Sequence, residues 1–125
     1  MNIPKELFYT KEHEWLNNEE KNVTIGITSF AQSQLGDIIF LELPDIGDKL
    51  IAGQPFGEIE AVKTVSDLFA PIAGTVVEVN NSLEDSPEKI NHDCYGEGWI
   101  IKIKPDEKIE KGNLLDYQAY TNLIE

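Results

Sequence analysis

The apolar residues of this chain come in short stretches that Gly, Pro, Asn or Asp interrupt every few residues. Residues 99–104 alternate, so that Ile101 and Ile103 would face one way and Lys102 and Lys104 the other. Such alternation is typical of a strand with one buried face, because successive side chains point to opposite faces of a sheet. We therefore predict strands over residues 23–27, 38–43, 55–61, 64–70, 75–79 and 99–104, with a further extended piece at 49–51.

Helices are predicted at three places. Thr28 and Ser29 can cap a short helix that runs through Gln34 and ends at Gly36. Residues 82–90 are predicted to form a loop with one helical turn. A C-terminal helix is predicted over residues 113–123. Its apolar face would consist of Leu114, Leu115, Tyr117, Ala119, Tyr120 and Leu123.

The chain has two similar halves. Residues 36–42 resemble residues 74–80 in pattern, and each segment is followed by another strand, at 56–61 and at 99–104. Many short strands in two similar halves indicate an antiparallel sandwich or a flattened barrel. The 125 residues fit a single domain, 1–125, which is large enough to fold without a disulfide or a structural metal.

Charge and cysteine content limit the classes of partner. The chain has 23 acidic and 10 basic residues, for a formal net charge of −13. Nucleic acids and anionic membranes are therefore not expected as partners, since both bind clustered positive charge. Protein partners should present basic faces. The single cysteine, Cys94, and the lack of a visible signal sequence indicate the cytoplasm.

Residues 57–67, GEIEAVKTVSD, turn the chain without the residues that usually form tight hairpins. Gly, Pro, Asn and Asp are absent from the junction of the two predicted strands. The sequence mirrors itself about a point between Lys63 and Thr64, with Val62 opposite Val65. β-Branched residues have restricted rotamers, which should stiffen this tip. The sequence therefore predicts a rigid hairpin that displays the Lys63 amine.

A displayed amine suits covalent modification or docking better than catalysis. A lysine that acts as a nucleophile or base must be desolvated, whereas Glu58, Glu60 and Asp67 lie near Lys63 in the sequence and favour a charged amine. Acylation would remove the charge and leave a long arm, as in a swinging carrier. A solvated lysine without a special role remains an alternative on these residues alone.

A resemblance to a known family narrows these options. Residues 57–80, GEIEAVKTVSDLFAPIAGTVVEVN, resemble the lipoyl-lysine segment of the H proteins of the glycine cleavage system. Four further blocks resemble that family in the right order: YTKEHEW at 9–15, TIGIT at 24–28, LGDIIFLELPDIGD at 35–48 and YGEGWIIKIK at 95–104. Together these blocks cover nearly the whole chain.

The resemblance implies a mainly β fold, a two-sheet antiparallel barrel-sandwich hybrid of the lipoyl/biotinyl-carrier type with short helices and a C-terminal helix. It implies that Lys63 carries lipoic acid in an amide bond. The protein would be a non-catalytic, monomeric carrier. Its partners would be a pyridoxal-phosphate glycine decarboxylase, a tetrahydrofolate-dependent aminomethyltransferase, a dihydrolipoamide dehydrogenase that reoxidises the lipoyl group, and a lipoate-attaching enzyme.

The resemblance also implies a cleft for the lipoyl arm. By motif position, Glu14 and Asp67 would hold the amine of the carried aminomethyl group. Gln34 is a departure, because some family members have a histidine there; an amide can hydrogen-bond the arm but cannot titrate near neutral pH. Cys94 is a second departure, at a position where proline is common, and is expected to be a free thiol in a loop.

Other functions remain to be weighed. An H-like protein could instead relay lipoyl groups to other lipoyl domains. A lipoyl or biotinyl domain of another complex usually has D-K-A or A-M-K-M at the lysine, whereas residues 61–64 are AVKT. A thiol enzyme or a metal site built from His13, His92 and Cys94 is a poor alternative, because one cysteine and two distant histidines form a weak ligand set. A pure interaction module would show no modification of Lys63.

Overall fold

The computed structural model describes residues 2–19, 21–107 and 114–124. Within these residues the chain forms nine strands and four helices. The strands are β1 (Phe8–Tyr9), β2 (Glu14–Glu19), β3 (Asn22–Ile27), β4 (Ile38–Glu42), β5 (Lys49–Leu50), β6 (Pro55–Ala61), β7 (Val65–Phe69), β8 (Gly74–Val79) and β9 (Ile101–Pro105). The helices are α1 (Ser29–Leu35), α2 (Ser82–Asp85), α3 (Lys89–Asp93) and α4 (Tyr117–Ile124).

The strands form two antiparallel sheets. The larger sheet has the order β1-β2-β3-β9-β8-β5, and the smaller has the order β4-β6-β7. The sheets stay separate, so they do not close into a barrel. The predicted mainly β fold with two antiparallel sheets, short helices and a helix near the C-terminus is confirmed.

The two halves that the sequence pattern indicated are visible in the strand pairing. In the first half β4 pairs with β6, and in the second half β8 pairs with β9. Both pairs are antiparallel, although the two halves contribute to different sheets. The similarity in pattern therefore corresponds to a repeated strand pairing.

Inward-facing side chains from both sheets form the main core. Ile25, Ile101 and Ile103 are fully buried in it, and Ile59 and Leu68 join it from the smaller sheet. Lys104 is exposed, as the alternation of β9 predicted. Full burial of one such side chain stabilises the fold by about 1.5–3 kcal/mol, so this core is the main source of stability.

A second apolar cluster lies under α4. It contains Leu7, Tyr9, Trp15 and Tyr120, and the rings of Tyr9 and Tyr120 stack with their centroids 4.6 Å apart. This cluster joins the N-terminal strands to the C-terminal helix. It therefore fixes α4 against the edge of the larger sheet.

Helix α1 begins and ends where the sequence predicted. The Ala31 N–H donates to the Thr28 hydroxyl oxygen at 3.2 Å, which makes Thr28 the N-cap. Gly36 follows the helix at φ 78°, a left-handed angle that suits glycine because it has no Cβ. The helix therefore has little freedom to extend in either direction.

The C-terminal helix is shorter than predicted. It starts at Tyr117 because Asp116 caps it, its Oδ1 accepting the Ala119 N–H at 2.8 Å. Leu115 lies before the helix and pairs with Tyr9 through two backbone hydrogen bonds of 2.7 and 2.8 Å. Tyr120 is the buried residue of the helix, whereas Leu123 is 47% exposed. Residue 113, where the helix was predicted to start, lies outside the described residues.

Other differences concern elements with weak sequence signals. Strands β1 and β2 were not predicted, because β2 contains Glu14, Asn17 and Asn18 and lacks a clear apolar alternation. Its pairing with β3 defines it as a strand. The segment 82–90, predicted to hold one helical turn, contains α2 and the start of α3. No described helix has the length and apolar character needed to cross a membrane.

Candidate functional site

Lys63 is exposed in the short connection between β6 and β7. Two backbone hydrogen bonds fix this connection: the Ala61 N–H donates to the Thr64 carbonyl at 2.8 Å, and the Val62 N–H donates to the Asp37 carbonyl at 3.1 Å. The second bond ties the hairpin to the loop before β4. The backbone at Lys63 is therefore held while its side chain projects into solvent.

The axis of the hairpin lies one residue before the predicted mirror point between Lys63 and Thr64. Val65 pairs with Glu60, and Asp67 pairs with Glu58. The axis therefore falls between Val62 and Lys63, because the hydrogen bond that closes the loop joins Ala61 to Thr64. Val62 is 68% exposed, and two apolar groups, the Val62 and Val65 side chains, thus flank the displayed amine at the surface.

A pocket of about 320 Å³ begins a few residues from Lys63 along β7. Three parts of the chain form its walls: the turn that leads into β2, one side of α1, and the edge strand β7. Its lining residues are Glu12, His13, Glu14, Ile27, Phe30, Ala31, Gln34, Leu35, Ile59, Ser66, Asp67 and Leu68. The structure thus brings together Glu14, Gln34 and Asp67, which are far apart in the sequence.

Glu14 is the buried acid of this pocket. Glu14 is only 2% exposed, and burial raises the pKa of its carboxyl group to about 8. Two hydrogen bonds act in the opposite direction: the Phe69 N–H donates to Oε2 at 2.7 Å, and the Thr10 hydroxyl bonds Oε1 at 3.3 Å. The raised pKa favours the protonated form of Glu14 at neutral pH.

The free edge of β7 faces the same pocket. The Phe69 N–H points away from β6, because it donates to Glu14. Backbone groups two residues apart in a strand point to the same side, so the N–H of Asp67 also points away from β6. Asp67 itself is exposed. The edge strand therefore adds backbone polar groups and one carboxylate opposite buried Glu14.

The sequence suggested His13 only as part of an alternative metal site, but the structure places it in the lining of the pocket. Its Nδ1 lies 2.9 Å from the Tyr120 hydroxyl, and its ring lies 4.8 Å from that of Phe30. Its φ of 67° is left-handed, which is uncommon for a residue other than glycine. Glu12, Phe30 and His13 were all missed as lining residues. The run Glu12-His13-Glu14, three polar residues where a turn leads into β2, was the signal that could have indicated them.

The outer face of the smaller sheet is acidic. The strand registers place Glu42, Glu58 and Asp67 side by side across β4, β6 and β7. Directly opposed like charges are unfavourable in a sheet. The ion pairs found among the described residues, Lys49–Asp106 and Lys102–Glu78, lie elsewhere. This row of carboxylates therefore meets solvent without a neutralising cation from the described part of the chain.

Cys94 is free but buried, which corrects the predicted loop thiol. It lies at the end of α3, is 7% exposed, and its carbonyl oxygen accepts the Trp15 indole N–H at 3.0 Å. Burial raises the pKa of the thiol to about 11, so it is a poor nucleophile at neutral pH. In the described ranges no three His, Cys, Asp or Glu residues are grouped as a metal site would require.

The sequence of the chain matches a known family profile over nearly its whole length. The profile described as Glycine cleavage H-protein matches residues 7–125. The chain belongs to the glycine cleavage H-protein family. Members of this family are non-catalytic carrier subunits of the glycine cleavage system, so the prediction of a carrier in place of an enzyme is confirmed.

Individual relatives agree with this assignment. The Glycine cleavage system H protein of Geobacillus kaustophilus (strain HTA426) is 56% identical over 124 residues, covering 99% of this chain and 98% of the relative. That of Bacteroides thetaiotaomicron is 51% identical over 124 residues, with the same coverage. The crystal structure of a glycine cleavage system H protein from Mycobacterium marinum superposes with a TM-score of 0.88 at 40% identity, covering 96% of this chain and 97% of the other.

Proposed function

We propose that Lys63 carries a lipoyl group in amide linkage and that the protein shuttles an aminomethyl group between the enzymes of the glycine cleavage system. The observation that supports this is the position of an exposed, backbone-anchored lysine beside a pocket with acidic walls. When bound, the lipoyl group supplies a dithiolane that accepts the aminomethyl group on one sulfur. The chain's own residues present the arm and shelter its cargo.

The hairpin suits attachment of the arm. Lys63 is exposed, so an attaching enzyme can reach its amine and acylate it. The bonds Ala61 to Thr64 and Val62 to Asp37 limit movement of the backbone. A fixed starting point raises the effective concentration of the arm's end at each partner's active site.

The pocket suits retention of the cargo. Asp67 lies four residues beyond Lys63, within about 13 Å along an extended strand, and an acylated lysine side chain spans that distance. An ammonium that enters would meet exposed Asp67 and buried Glu14. Glu14 would release its proton and pair with the cation, because a nearby positive charge favours the ionised carboxyl group. Gln34 would add a hydrogen bond from α1 without adding charge.

The acidic sheet face suits protein partners with basic surfaces. We propose that the pyridoxal-phosphate glycine decarboxylase, the tetrahydrofolate-dependent aminomethyltransferase, the dihydrolipoamide dehydrogenase and the lipoate-attaching enzyme approach the Lys63 end of this face. Long-range attraction to Glu42, Glu58 and Asp67 would speed each encounter at low salt. The proposed compartment is the cytoplasm, where the free Cys94 stays reduced.

The decisive experiment is the intact mass of the protein purified from its native host. We expect a lipoyl-sized increment that disappears in Lys63→Arg, which retains the charge but has no amine to acylate. Lys104→Arg is the matched control, because Lys104 is also exposed and should leave the increment in place. Native protein without any increment would refute the proposal.

A second experiment tests the pocket. In protein already loaded with the aminomethyl group and separated from all enzymes, Glu14→Ala and Asp67→Ala should shorten the lifetime of the cargo. Glu84→Ala, which removes an exposed acid from α2 outside this pocket, should leave the lifetime unchanged. Equal lifetimes in all four proteins would remove the pocket from this account while leaving the attachment at Lys63 intact.

A further inference from the structure

Three hydrogen-bonded side chains connect the C-terminal helix to the wall of the pocket. The Tyr120 hydroxyl lies 2.9 Å from His13 Nδ1 and 2.7 Å from Thr28 Oγ1. Thr28 and Tyr120 are both 0% exposed, whereas His13 lines the pocket. The tautomer and the protonation of the His13 ring therefore depend on two buried hydroxyl groups.

One arrangement gives every hydrogen in this chain of side chains an acceptor. Thr28 Oγ1 already accepts the Ala31 N–H at 3.2 Å, and in this arrangement the Thr28 hydroxyl donates its own hydrogen to the Tyr120 oxygen. Tyr120 then donates to His13 Nδ1, which must be the ring nitrogen without a proton. The proton of the neutral imidazole is consequently on Nε2, the nitrogen that remains available to the pocket.

Protonation of His13 would break this arrangement. An added hydrogen on Nδ1 would turn toward Tyr120, and one buried hydroxyl hydrogen would lose its acceptor. Burial acts in the same direction and lowers the pKa of His13, whereas the Glu12 carboxylate raises it. The other acids around the pocket are Glu14 on β2, whose protonated form burial favours, and Asp67 on β7, whose carboxylate favours an imidazolium. Helix α1 contributes only uncharged side chains to the lining.

We propose that Tyr120 keeps His13 uncharged, so that the pocket contains acidic side chains and no competing cation and selects an ammonium group. This proposal rests on the proposed function, in which the pocket retains the ammonium of the carried group. A charged His13 would repel that ammonium and compete with it for Glu14 and Asp67. Tyr120 is thus a positioning residue that acts on the pocket through His13.

The first test uses the ring nitrogens of the two histidines in the unlipoylated protein, observed by ¹⁵N NMR between pH 5 and 8. His13 should show the Nε2–H tautomer, with exposed His92 as an internal reference in the same spectra. Tyr120→Phe keeps the ring that stacks on Tyr9 and removes only the hydroxyl. In this variant the tautomer preference should be lost and the pKa of His13 should rise by about one unit.

Tyr9→Phe is the matched control. It removes a hydroxyl from the same apolar cluster, one that donates to the Pro4 carbonyl. An Nδ1–H tautomer in the wild type would overturn the proposal. A Tyr120→Phe spectrum that matches the wild type would also overturn it. So would a Tyr9→Phe variant that changes the tautomer and the pKa of His13 as much as Tyr120→Phe does.

The second test measures cargo loss from loaded protein without enzymes. Near pH 6, Tyr120→Phe should lose the aminomethyl group about three- to tenfold faster than wild type, which is the effect of one unit charge several ångströms away. Near pH 8 the two proteins should lose it at similar rates. If Tyr120→Phe and wild type lost the group at equal rates at both pH values, the pocket would not select an ammonium in the way proposed. Absence of lipoylation at Lys63 would refute the proposed function alone, because the NMR test of Tyr120 needs no arm.

Discussion

Replacement of Glu14 by glutamine should alter how the stability of the protein depends on pH. Burial raises the pKa of Glu14 from 4.5 to about 8 in the folded protein. The folded protein therefore binds this proton more tightly than the unfolded chain does. As pH rises from about 4.5 to about 8, the Glu14 contribution lowers the free energy of unfolding, and below pH 4.5 it changes nothing.

The magnitude follows from the shift. A change from 4.5 to about 8 corresponds to about 5 kcal/mol, since each unit is worth about 1.4 kcal/mol. Entry of water and movement of the pocket walls reduce this value, so we expect about 2–5 kcal/mol at pH 8.5. The glutamine introduced by Glu14→Gln would keep the size of the side chain and accept the Phe69 N–H through its carbonyl oxygen. Glu14→Gln should therefore be more stable than wild type at pH 8.5 and similar at pH 5.

The assay is urea unfolding followed by tryptophan fluorescence at half-unit steps from pH 5 to 9, with the m value checked for constancy. Glu84→Gln is the matched control, because it makes the same change in charge at an exposed position on α2, outside the pocket. Its stability should run parallel to that of wild type. If the curves of wild type and Glu14→Gln also run parallel over this range, the argument from buried charge is wrong.

Three other variants or reactions test packing and local structure. Gly57→Ala should destabilise the smaller sheet by about 1–3 kcal/mol, because a Cβ there would lie 2.2 Å from the Glu42 carbonyl oxygen; thermal unfolding would measure this, and a wild-type melting temperature would contradict it. Cys94 should react with a thiol reagent at pH 8 far more slowly than a solvent-exposed thiol does, because it is buried and its pKa is about 11. Rapid labelling in the absence of urea would contradict that burial. Asp116→Ala should cost about 1 kcal/mol by removing the cap that bonds Ala119, with Asp116→Asn as the conservative control that retains stability; equal loss in both would refute capping.

Much of the fold was accessible from local patterns. Alternation predicted β9, since Ile101 and Ile103 are buried and Lys104 is exposed. Cap residues predicted both ends of α1. Strand β2 escaped prediction because its residues are mostly polar and its pairing with β3 depends on backbone hydrogen bonds that any residue can make.

The candidate site was accessible only in part. Lys63 was found because the residues around it lack the usual turn formers and resemble a known lipoyl-lysine segment. Glu14, Gln34 and Asp67 were indicated by motif position, and the structure places all three on one pocket. His13 was missed, because its significance depends on Tyr120, which lies more than a hundred residues away in the chain.

The sequence by itself determined the strand periods, the caps of α1 and the lysine on its hairpin, because each depends on residues close together in the chain. It also determined the family, since the resemblance extends over nearly all of the chain. Only the tertiary structure decided which acid is buried and which hydroxyl group contacts His13. Those properties arise when β2, α1, β7 and α4 exclude water from groups that are distant in sequence, and exclusion of water is what raises the pKa of Glu14 and lowers that of His13.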